Sequence, residues 1–106
     1  MNMRKVYDKI VRDRIPEIIE KDGKRAETMI VSENEMKAGL MTKLVEETRE
    51  FAESGETEEL ADVMEVIYAL LDLRGETMAD VERIRINKKE TRGGFEKRIK
   101  LISVEK

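Results

Sequence analysis

Two helical periodicities meet across the short turn ESGETE, residues 53–58. Upstream, Leu40, Leu44 and Phe51 recur on one side of a helix at about 100° per residue. Downstream, Leu60, Val63, Met64, Ile67 and Leu71 do the same. A turn this short makes successive helices antiparallel neighbours, so a helical hairpin is expected. Val66, Ala69, Leu70 and Leu73 widen the downstream stripe well past one face, which predicts burial on two sides. A chain of 106 residues has only a thin core of its own. The expected architecture is therefore all-α: one antiparallel helical bundle over residues 1–106, completed by oligomerisation as a homodimer or homotetramer.

The flanking segments are shorter. RIPEIIEKDG reads as a brief helix, with Pro16 in its first turn and Gly23 just past its end. ETMIV suits an extended connector. Ser32 and Glu35 have the spacing of a capping box, placing the start of the second helix near Glu33, and Gly55 stops it. Thr57 is a candidate cap for the third helix, which ends before Gly75. Thr77 with Asp80 opens a fourth that runs to TRGG. The tail FEKRIKLISV alternates loosely, as a short terminal strand or an ordered arm would.

The anomaly lies in the acids. Glu47 falls inside the arc of Leu40, Leu44 and Phe51, while Glu59 and Asp62 align with Val66 and Leu73 on the second side of the third helix. An unpaired buried carboxylate costs several kcal/mol, so these positions call for a cation, a partner or an altered pKa. Glu47 with Glu50, and Glu59 with Asp62, are both spaced i, i+3. In an antiparallel hairpin the four carboxylates converge. Either pair alone reads most simply as a solvated face or half of a surface ion pair. Two pairs on apolar arcs, joined by a short turn, favour a site for divalent cations.

Composition restricts which ions and which chemistry. With no Cys and no His, there is no disulfide framework, thiol nucleophile or imidazole ligand. A metal here would be a hard ion held by oxygen, Mg²⁺ first and Mn²⁺ second. The 21 basic and 24 acidic residues nearly cancel to a formal charge of -3, which gives no attraction to nucleic acid or to anionic membrane. The opening MNMRKVYDKIV contains no apolar signal segment, and no long apolar run follows, so a soluble, cytoplasmic protein is expected.

The acidic pattern, EETRE followed by EELADV, resembles the E-x-x-E and E-x-x-D signature of the MazG-like superfamily of all-α nucleoside triphosphate pyrophosphohydrolases, which includes phosphoribosyl-ATP pyrophosphohydrolase. YDKIVRDRIPEII and TRGGFEKRIKLI resemble a small single-domain branch of that superfamily, extending the likeness over most of the chain. The resemblance implies a homo-oligomer of the all-α NTP pyrophosphatase type. It also implies Mg²⁺-dependent cleavage of a nucleotide between its α and β phosphates. Glu47, Glu50, Glu59 and Asp62 would be the metal ligands. NKKETR is similar to the superfamily's N-x-K-x-x-R element, which would put Asn87, Lys89 and Arg92 at the substrate phosphates, with Lys88 as a rival to Lys89.

Blander readings stand beside these. The basic residues of the fourth helix suit a solvated carboxyl end. Gly93 and Gly94 read as a helix stop or as a loop that closes over substrate. Lys43 is placed to contact a phosphate or, more simply, to pair with Glu47 at i, i+4. Glu46 is a candidate general base but projects about 100° from Glu47. Arg12, Asp13 and Arg14 are candidates to bind substrate or a neighbouring subunit, but are read as structural, leading into a helix whose Ile15, Ile18 and Ile19 pack inward. Two other functions remain open: phosphoribosyl-ATP hydrolysis, against which the terminal segments argue, and a catalytically silent nucleotide-binding or interaction module. A purely structural bundle of ion pairs is a third.

Overall fold

The computed structural model describes residues 4–106. Its regular structure is entirely helical: α1 (Ile15–Lys21), α2 (Glu33–Ser54), α3 (Thr57–Arg74) and α4 (Met78–Arg92), with no strand among the described residues. The chain forms two compact units, one ending at Gly75 and the other spanning Glu76–Lys106.

In the first unit α2 and α3 make the principal helix packing. Only Gly55 and Glu56 connect them. Gly55 ends α2 in the left-handed region, at φ 67°, where a side chain would be strained, and its N–H donates to the Phe51 carbonyl at 2.8 Å. The amino-terminal end of α2 shares an apolar groove with the carboxyl end of α3, bounded by Met41, Leu44, Ile67, Leu70 and Leu73, as the antiparallel hairpin requires. Half of the expected capping box forms at α2, where Glu35 N–H donates to Ser32 Oγ at 3.2 Å. Thr57 is not the cap of α3. Glu56 takes that position in extended backbone geometry without a side-chain cap bond, and its own N–H donates to Ser54 Oγ at 3.1 Å.

The core is small. Leu40, Val66 and Leu71 are buried, so each apolar side of α3 contributes one residue to the core. Leu60, Met64 and Tyr68, four residues apart on α3, remain exposed, as do Met41 and Val45 on α2. The amino-terminal segment before α1 packs on α2 at Gly39. A Cβ there would lie 2.2 Å from Ile10 Cγ1, so only glycine admits the Ile10 side chain.

The second unit consists of α4 and the tail. Thr77 and Asp80 form a complete reciprocal capping box. The tail contains no strand. Arg98 N–H turns back to the Phe95 carbonyl at 3.1 Å, and Phe95, Ile99, Leu101 and Ile102 are exposed. Loose alternation is too little for a strand when no neighbouring strand shares its hydrogen bonds.

Candidate functional site

Three of the four acids singled out in the sequence converge. Glu47 and Glu50 project from the last third of α2 and Glu59 from the first turn of α3, and each offers a carboxylate oxygen within 4.8 Å of the others. The arrangement follows from the short turn, which brings the carboxyl end of α2 beside the amino end of α3. Asp62 stands one turn further along α3, where its Oδ1 accepts a hydrogen bond from Arg12 Nη2 at 2.8 Å.

The electrostatics match this crowding. The Glu47 carboxyl is pushed above its ordinary value by burial first and then by the charge of Glu50, with Lys43 opposing and Asp62 adding to the rise. The Glu59 carboxyl is also raised, by desolvation and then by Glu50 and Asp62. Lys43 Nζ lies 3.8 Å from Glu47 Oε1, and both side chains are largely shielded from solvent, which sets this contact apart from the surface ion pairs elsewhere. The simpler reading of Lys43, an i, i+4 partner, is therefore realised. Glu46 pairs with Lys9 Nζ at 3.2 Å and is not in the converging triad.

Oxygen donors alone, with like charges drawn together, suit a hard divalent ion. Adjacent ligand oxygens around an octahedral Mg²⁺ are separated by about 3 Å, so the triad would have to draw closer to hold one. Glu47, Glu50 and Glu59 could take such an ion directly, with Asp62 the fourth donor once its guanidinium partner is removed.

In the second unit, Asn87, Lys89 and Arg92 are all exposed on α4. Helical geometry sets Lys89 about 60° and Lys88 about 40° from Arg92, so either lysine shares its face, whereas Asn87 projects well over 100° from both Lys89 and Arg92. Lys89 Nζ pairs with Glu96 Oε1 at 3.5 Å.

Sequence reasoning passed over Lys9 and Gly39, and read Arg12 as structural without identifying its partner. Gly39 left a signal, since glycine in a helix interior is costly by about 1 kcal/mol relative to alanine and points to a close approach. Arg12 and Lys9 left none, because their partners lie 50 and 37 positions away. Comparison of the chain with protein-family models, curated proteins and solved structures finds no match.

Proposed function

We propose that this protein is a divalent-metal-dependent nucleotide pyrophosphohydrolase, cleaving between the α and β phosphates to give a monophosphate and pyrophosphate. The observation that carries the reading is the meeting of Glu47, Glu50 and Glu59 across the α2–α3 hairpin, at the positions that the E-x-x-E and E-x-x-D resemblance selects. These residues, with Asp62, would hold Mg²⁺ or Mn²⁺. A bound ion supplies Lewis-acid polarisation of the phosphoryl group and lowers the pKa of an attacking water.

The chain's own residues do the rest. Lys43 favours the charged form of Glu47, since its charge opposes, without cancelling, the rise that burial and Glu50 cause. On the resemblance, Asn87, Lys89 and Arg92 would contact the phosphates, with Lys89 and Arg92 the pair that shares a helix face. Arg matches phosphate oxygens with a bidentate fork and offsets charge on the leaving pyrophosphate. The exposed stripe of Leu60, Met64 and Tyr68, with so few residues buried, supports assembly as a homodimer or homotetramer.

A second reading has its own support. Asp62, Glu47 and Glu46 already face Arg12, Lys43 and Lys9, so the charges are partly compensated without any ion. That arrangement fits a catalytically silent binding module or an ion-paired bundle. Pyrophosphate release from a panel of nucleoside triphosphates and phosphoribosyl-ATP, with and without Mg²⁺, separates the cases. Metal-dependent release from a triphosphate supports the proposal, and preference for phosphoribosyl-ATP transfers it to that substrate. Metal binding without turnover favours the silent module, and neither favours the bundle.

A further inference from the structure

The segment that precedes α1 lies along the hairpin and places cations on both helices. Lys9 reaches Glu46 on α2, and Arg12 reaches Asp62 on α3. Between them Ile10 is seated against Gly39, a position from which any larger residue would expel it. The seat is apolar and specific in shape, while both ion pairs are partly open to solvent, with Arg12 54% and Asp62 39% exposed. Pairs of that exposure are weak and exchange readily.

We propose that this segment is a strap whose Arg12 serves as the resident counter-ion of Asp62, and that loading of a divalent ion displaces it. The inference rests on the metal-binding reading of Glu47, Glu50, Glu59 and Asp62. In the metal-free state Asp62 is one of four acids in a small region, and its Oδ1 is held by Arg12 at 2.8 Å. A divalent ion gathered by the triad competes for the same oxygen with twice the charge. Once Asp62 turns to the ion, its oxygen is no longer open to Arg12, which faces a centre made less negative by the ion and loses its only described partner there. Metal occupancy is thereby coupled to the position of residues 9–12, with Ile10 on Gly39 as the hinge that keeps the strap nearby.

A double-mutant cycle on the full chain tests the coupling, reading Mg²⁺ affinity by calorimetry at fixed pH and salt in the wild type, Arg12→Ala, Asp62→Asn and the double variant. Removing Arg12 should tighten Mg²⁺ about two- to fivefold, the range expected when an exposed ion pair no longer competes. In the Asp62→Asn background the same change should alter affinity less than about 1.5-fold. Arg12→Lys, which retains the charge, should stay near the wild-type value. The Arg12 Nε–H NMR resonance of the wild type should shift on Mg²⁺ addition. An unchanged affinity in Arg12→Ala overturns the strap while leaving the metal site standing. An equal gain in both backgrounds also overturns it, by reducing the effect to charge repulsion at a distance. Absence of Mg²⁺ binding in the wild type overturns the metal reading and the strap together.

Discussion

Arg12 Nη2 donates to Asp62 Oδ1 at 2.8 Å, joining the segment before α1 to the second acidic pair across 50 positions of sequence. The contact places a guanidinium beside a group of carboxylates in which Glu47 and Glu59 are raised above their ordinary values, first by desolvation and then by the neighbouring charges. Charge balance in this region is thus shared between cations of the chain and any ion that binds, and most of the testable consequences follow from that sharing.

Metal should stabilise the protein. Mg²⁺ or Mn²⁺ is expected to raise Tm in a thermal shift assay, and Glu47→Gln or Asp62→Asn to remove most of that response, because each deletes a charged donor. A wild-type Tm indifferent to millimolar metal would falsify the site.

Stability of the metal-free protein should depend on pH in a defined direction. Folding raises the Glu47 and Glu59 carboxyls above 4.5, so the stability they contribute is complete below that value and is lost as pH rises through their folded values. Glu50→Gln removes a repelling charge common to both. Its Tm advantage over the wild type should grow from pH 4.5 upward and shrink in saturating Mg²⁺. An advantage independent of pH would mean that the acids do not interact.

Gly39→Ala should destabilise the chain despite the better helix propensity of alanine. The propensity gain is about 1 kcal/mol, and overpacking against Ile10 costs roughly 1–3 kcal/mol. With Ile10→Ala in the same chain the effect should change sign, which urea denaturation can read directly. No such reversal would show that Ile10 is not seated there in solution.

Assembly is expected to cover the exposed stripe of α3. Light scattering should report more than one chain per particle, and Met64→Lys should reduce that number while circular dichroism keeps its helical signal. Ile67→Glu, closer to the core, should dissociate or unfold the protein. A stable wild-type monomer at micromolar concentration excludes the oligomer.

Turnover should distinguish substrate contacts from metal ligands. Arg92→Ala is expected to lower kcat by about a hundredfold, the scale of losing one charge-stabilising donor, with little change in Mg²⁺ affinity. In ¹⁸O-water, label should enter the nucleoside monophosphate and not the pyrophosphate. Diphosphate and orthophosphate as products would instead indicate an ordinary phosphatase.

The sequence alone determined the helices and the hairpin. Apolar spacing, the Ser32 and Thr77 caps, and Gly55 and Gly75 are local signals acting within a turn or two of the backbone, so α2, α3 and α4 are legible from them. The same short turn made the meeting of Glu47, Glu50 and Glu59 predictable, because it bound their relative positions to helical geometry. Tertiary structure decided what faces those acids. Arg12 and Lys9 come from a segment without regular structure, and nothing in their own neighbourhood indicates which of 24 acidic residues they reach. That choice depends on the seat of Ile10 on Gly39, a fit of shape between distant segments that exists only once the chain is packed. Packing also decided which positions of α3 are covered, burying Val66 and Leu71, one from each apolar side, and leaving Leu60 and Met64 exposed, because one neighbouring helix cannot cover so wide an apolar surface.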